Sequence, residues 1–209
     1  MQTVDKVAST DIPQLRKFSL PTIASAKRIL TLLAENTGIS MAKLADRSHV
    51  SHDVVADFLH ALTLSGLVVR VPPQRAATST ATKPSKYMFT SPTIRAAFLD
   101  AVGSEMRELT RQGMLLEDAV ASNIHQNPNM PSDTTLRHAP GEGGADFILN
   151  THTQRAVIEV GRGDKTMRQV QVSMAKYKAS FGPVFSDTEL KLAAGATVIF
   201  VPWEYFALT

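Results

Sequence analysis

The sequence predicts an α/β chain in two units, a helical one closed by a β-hairpin and a second in which strands outnumber helices. Three observations predict it. Apolar residues recur at helical spacing up to residue 62, and Gly38 and Gly66 punctuate them. Short β-branched runs take over after residue 134. Charge divides the same way: residues 1–100 carry 12 Lys and Arg against 7 Asp and Glu, whereas residues 101–209 carry 10 against 12. A net of +5 joined to a net of −2 marks two units with different partners, expected at 1–100 and 101–209.

Composition narrows the function classes. The hydrophobic fraction of 44% is enough for a packed core, so a disordered chain is excluded. Cysteine is absent, which removes disulfides, thiolate zinc sites and cysteine nucleophiles together. No apolar run approaches the roughly 18 residues of a membrane span, and no apolar segment follows Met1. The expectation is a soluble, cytoplasmic protein with no membrane partner.

In the first unit, Pro13 and Pro21 bracket a lead-in, and Ile23, Ala26, Ile29, Leu30 and Leu33 form one helical stripe. Ser40 is placed to cap a short helix over 41–47, with Leu44 and Ala45 inward. Ser51 caps the next, whose stripe is Val54, Val55, Phe58, Leu59 and Leu62, and Gly66 ends it. Residues 67–71 and 86–89 read as a strand and its antiparallel return, around a Pro-, Ser- and Thr-rich stretch over 72–84. Three helices and a hairpin make a winged helix-turn-helix.

Two uses of this unit stand side by side. Arg70, Arg75, Lys83 and Lys86 lie on the wing and suit phosphate contact, which makes DNA a possible partner. The helix over 52–65, where base readout would occur, has no Lys or Arg and carries Asp53 and Asp57. Carboxylates facing phosphate disfavour major-groove reading, so the alternative is a module that packs against a protein partner. His49, His52 and His60 read as cap or surface residues, since no ligand set accompanies them.

In the second unit a helix is expected over 93–111, broken by Gly113, and another over 114–124 with Leu116, Val120 and Ile124 inward and Glu117 beside them. Strands follow at 135–138, 145–149 and 156–160, then a helix over 166–180 and a buried strand at 196–201. The order is α-β-β-β-α-β. Asp146 opens one strand and Glu159 nearly closes the next, so antiparallel pairing brings both to one end of the sheet. With Glu117 they form a hard-oxygen set suited to Mg²⁺ or Mn²⁺, as metal-assisted phosphodiester cleavage requires. The structural alternative has Asp146 capping the glycine turn at 141–144 and Glu159 paired with Arg162 or Lys165. Gln169 and Gln171 read as helix-surface residues, Arg162-Gly163-Asp164 as a chance tripeptide, and Trp203, Tyr205 and Phe206 as a docking cluster.

That element order, with Gly-Ala-Asp-Phe-Ile-Leu at 144–149 and Val-Ile-Glu-Val at 157–160, resembles the restriction-endonuclease-like superfamily with its PD-(D/E)XK core. The stretch 115–120 resembles that fold's first helix. More closely, the chain is similar to the C-terminal half of a family of archaeal and bacterial AAA+ ATPases, in which a winged helix and a nuclease-like domain follow the nucleotide-binding module. Residues 33–38, Leu44-Ala45, Val50-Ser51, 62–71, 83–90 and the lead-in Asp11-Ile12 carry the similarity.

The resemblance implies a non-catalytic regulatory module that binds nucleic acid, an AAA+ ATPase module or another protein partner. Its alternative is a Mg²⁺-dependent DNA endonuclease using Asp146, Glu159 and Lys165, with Glu117 as a supporting ligand. The PD-(D/E)XK pattern places a lysine two residues after the second acid, and Gly161 stands there. Lys165 is then the substitute, because an arginine such as Arg162 cannot serve as a base. No G-x-x-x-x-G-K-[ST] occurs, so no nucleotide site is expected in this chain.

Overall fold

The computed structural model describes residues 20–74, 84–140, 144–161, 166–187, 190–192, 195 and 197–206. The chain is mixed α/β and divides into two compact units, Met1–Arg70 with Pro84–Arg107 and Val71–Lys83 with Glu108–Thr209. Among the described residues no helix is long and apolar enough to cross a membrane.

The first unit contains α1 (Leu20–Glu35), α2 (Met41–Ser48), α3 (His52–Leu64), the strands β1 (Val68–Val71) and β2 (Lys86–Phe89), and α4 (Pro92–Ala101). β1 and β2 form a two-stranded sheet. The helix starts are those the hydroxyls dictate: Ser40 Oγ accepts from the Lys43 amide and Ser51 Oγ from the Val54 amide, each at 3.3 Å. α3 ends on Gly66, whose φ of +69° lets the Leu67 amide turn back to the Leu62 carbonyl at 3.0 Å. α2 ends the same way on His49 at φ 58°, so this histidine is a cap. Ile29, Leu30, Leu33, Leu44, Val55, Phe58, Leu62, Phe89 and Phe98 meet in one core.

Arg95 is the largest side chain in that core with no exposure. Its Nη1 donates to the Leu33 and Ala34 carbonyls at 3.0 and 2.7 Å, and its guanidinium lies 5.1 Å from the centre of the Phe89 ring. Those carbonyls end α1, where backbone acceptors have no helical partner and the dipole favours a cation. α4 therefore clamps α1 through a buried charge.

The expected helix over 93–111 is a correction. The chain breaks after Ala101, where Gly103 takes φ +60°, and restarts as α5 (Glu108–Gln126). Gly113 sits inside α5 rather than ending it, its Cβ position open to space. A glycine weakens a helix but interrupts it only where the backbone needs positive φ, as at Gly103.

The second unit continues with β3 (Thr135–Arg137), β4 (Phe147–Asn150), β5 (Arg155–Val160), α6 (Met167–Tyr177), β6 (Gly182–Ser186), β7 (Lys191–Leu192), β8 (Val198–Pro202) and the one-turn α7 (Trp203–Phe206). Among the described residues six strands make one sheet in the order β3-β4-β5-β6-β8-β7. The first three are antiparallel neighbours, β5, β6 and β8 run parallel, and β7 returns antiparallel to β8. The stretch expected as loop after residue 71 contributes too, since Pro73 bridges His138 and the Gln74 amide donates to the His138 carbonyl at 2.8 Å.

β6 was absent from the expected order, because Gly182 and Pro183 look like a turn. Pro183 is tolerated because it falls between the Phe181 bridge to Ala156 and the registered β5 pairing that starts at Val184. Gly182 is required for packing: a Cβ there would stand 2.5 Å from Val170 Cγ1 and 2.8 Å from Met174 Sδ. The bare backbone lets α6 lie close on the sheet, over Val170, Val184 and Val198.

Candidate functional site

β4 and β5 pair in the register Phe147–Ile158, Ile148–Val157, Leu149–Ala156, Asn150–Arg155. One step further in that register stand Asp146 and Glu159, so the two acids do reach the same end of the sheet. Alternation then assigns their surroundings. Val157 and Ile148 face α6 and pack with Met174 and Tyr177. Glu159 shares their face, and Ser173 of α6 donates to Glu159 Oε1 at 3.4 Å.

Asp146 accepts the Val160 amide on Oδ2 at 2.7 Å, so it bonds the backbone of the strand beside it. This bond adds to the roles weighed from spacing, and residues 141–143 of the glycine turn lie outside the described residues. Glu159 is fully buried. Gly161 continues the sheet, its amide donating to the Phe185 carbonyl at 3.0 Å. Lys165 and Arg162, expected near these acids, lie outside the described residues.

The buried residues of α5 are Met114, Asp118, Val120, Ala121, Ser122 and Ile124, and Glu117, which precedes Val120, Ala121 and Ile124 by three, four and seven residues, is half-buried on the same side. The fully buried carboxylate of this helix is Asp118. Of the expected stripe, Val120 and Ile124 are buried and Leu116 is half-buried. α5 packs on β5 and β3.

Among the described residues no group of three His, Asp or Glu side chains comes together to hold a metal ion. Mg²⁺ normally keeps several of its waters, and Glu159 presents no surface to water. Its Oε1 and Asp146 Oδ2 already accept hydrogen bonds from this chain.

Of the four cations expected on the hairpin, Arg75 and Lys83 lie outside the described residues. Arg70 is exposed on β1, and its Nε donates to Ser85 Oγ at 3.2 Å across the hairpin. Lys86 is half-buried at the start of β2. Between them Tyr87 is buried, which pushes its phenol above the usual tyrosine range, an effect that the Arg70 charge opposes. On α3 the exposed side presents His52, Asp53, Asp57 and His60 and ends at Leu64, 74% exposed.

Ser173 was missed in the sequence. Its signal was present, a hydroxyl three residues after Val170 on the apolar stripe that continues through Met174 and Tyr177. Gln169 and Gln171 are half-buried and exposed, and Trp203 and Tyr205 remain 38% and 59% exposed.

No family model matches the chain. It is 29% identical over 208 residues to the uncharacterized protein MJ1637 of Methanocaldococcus jannaschii, a match that covers 98% of this chain and 43% of that protein. The chain thus spans less than half the length of this relative. The crystal structure of RV1404 from Mycobacterium tuberculosis aligns at a TM-score of 0.27 and 16% identity, over 61% of this chain and 87% of that one. So slight a likeness bears on neither fold nor function.

Proposed function

We propose that this chain is a non-catalytic recognition module, a winged helix followed by a restriction-endonuclease-like domain, which binds nucleic acid or a protein partner for a larger ATPase-type machine. The observation that carries the reading is the use of the two acids. Asp146 is bonded to the Val160 amide and Glu159 is sealed between β5 and α6. Nuclease chemistry needs both to hold a hydrated metal against substrate. Here both tie the sheet to itself and to α6.

Further support comes from the element order α5-β3-β4-β5-α6-β6 and from Gly161 in the place of a catalytic lysine. In the M. jannaschii relative more than half of the chain lies outside the match, as expected of a module built into longer proteins.

The test is calorimetric titration of Mn²⁺ into the protein, beside an Asp146→Asn, Glu159→Gln variant that preserves side-chain shape. Equal, negligible heats in both support the module. One equivalent bound by the wild type and lost in the variant would establish the endonuclease instead, and cleavage of branched and single-stranded DNA would then follow.

A further inference from the structure

The second half of the chain has a net charge of −2, yet residues 165–186 contain no Asp or Glu and carry Lys165, Arg168, Lys176 and Lys178. The described part of this stretch is mostly α6. Its inner side is Val170, Ser173, Met174 and Tyr177 against the sheet. Its outer side exposes Arg168, Gln171, Val172, Ala175 and Lys176, and the exposed Lys178 follows at the left-handed cap. Among the described residues none of these three cations pairs with a carboxylate. Lys176 instead leans over the Tyr177 ring, with Nζ 5.3 Å from its centre.

We infer that the outer face of α6 is a phosphate-backbone contact surface for nucleic acid. The inference rests on the recognition reading above and names its ligand class. Arg168 and Lys176 are eight residues apart, about 12 Å along a helix. One DNA strand places a phosphate every 3.4 Å or so of axis, so roughly three phosphates lie within that reach. Gln171 adds a neutral donor between the charges. The absence of acids from the stretch removes the repulsion that Asp53 and Asp57 would cause on α3.

Nucleic acid is the occupant favoured over an anionic membrane. An interfacial helix presents large apolar side chains to the lipid. α6 spends Val170, Met174 and Tyr177 on the sheet and leaves only Met167 at its start and Val172 at the centre of its outer side as exposed large apolar residues, too few for an interfacial face.

The experiment is fluorescence anisotropy with a labelled 30-base-pair duplex and a 30-nucleotide single strand over a salt series. It compares the wild type, an Arg168→Gln, Lys176→Gln, Lys178→Asn variant, the charge-keeping Arg168→Lys, Lys176→Arg variant, and Arg70→Gln. Asparagine tolerates the left-handed backbone at 178, so the cap survives, and thermal melts followed by circular dichroism check the fold.

The expected result is at least a tenfold loss of low-salt affinity in the neutralised variant and a salt slope shallower by about 2–3, with the charge-keeping variant unchanged. Three results would overturn the inference. If Arg70→Gln abolishes binding and the α6 variant does not, the ligand is nucleic acid but the surface is the hairpin. If the wild type binds neither probe at low salt, the recognition reading passes to a protein partner. If phosphatidylserine vesicles compete the probes off α6, the surface is a membrane contact.

Discussion

Asp146 Oδ2 accepts the Val160 amide at 2.7 Å, linking the residue that precedes β4 to the last residue of β5. The bond continues the ladder past Phe147 and Ile158 with a side chain in place of a carbonyl. It ties together the sheet end where Glu159 and Gly161 also stand.

Removing that acceptor has a measurable cost. Asp146→Ala should lower stability by about 1–2 kcal/mol, since a buried-side amide loses a charged partner, and Asp146→Asn by less because an oxygen remains. Urea unfolding in metal-free buffer checks both. Equal stabilities across wild type, Asn and Ala would refute the structural role.

Arg95→Met should destabilise by about 3 kcal/mol, because the Leu33 and Ala34 carbonyls lose their donor inside the core. Methionine fills much of the arginine stem's volume, so most of the loss reports hydrogen bonding rather than a cavity. Chemical denaturation of the full chain, followed by circular dichroism, measures it.

Gly182→Ala should cost about 1–3 kcal/mol, since its Cβ would press on Val170 at 2.5 Å and on Met174 at 2.8 Å. Met174 can swing aside, but the β-branched Val170 cannot. Adding Val170→Ala should then cost less in the Gly182→Ala background than in the wild type. A double-mutant cycle checks this, and simple additivity would contradict it.

Tyr87 links stability to alkaline pH. Burial raises its folded pKa above the ordinary 10.0, so the folded state holds the phenol proton more tightly than the unfolded chain. Its contribution is fully present below pH 10 and declines as pH rises through the raised value. Melting temperature should therefore fall more steeply above pH 10 in the wild type than in Tyr87→Phe. Parallel curves for the two proteins would count against it.

Much of the first unit is legible in the sequence. Ser40 and Ser51 begin helices because a hydroxyl before an apolar stripe meets the unpaired amides of the first turn, a local effect needing no distant partner. Gly66 ends one because positive φ is a property of its own backbone. The meeting of Asp146 and Glu159 at one sheet end is legible as well, since a hairpin between two short strands leaves little choice of register. The sequence by itself therefore determined a mixed α/β chain, most helix ends of the first unit, and which acids would be neighbours.

Only the tertiary structure decided what those neighbours do. β6 exists because α6 and β8 cover a Gly-Pro segment that has no local strand signal. Asp118 is fully buried because the inward side of α5 is wider than its apolar stripe and reaches from Val120 and Ile124 round to Asp118 and Ser122. Asp146 bonds an amide and Glu159 a serine because a carboxylate drawn out of water takes the donors that packing brings within reach, and those donors come from other elements of the chain.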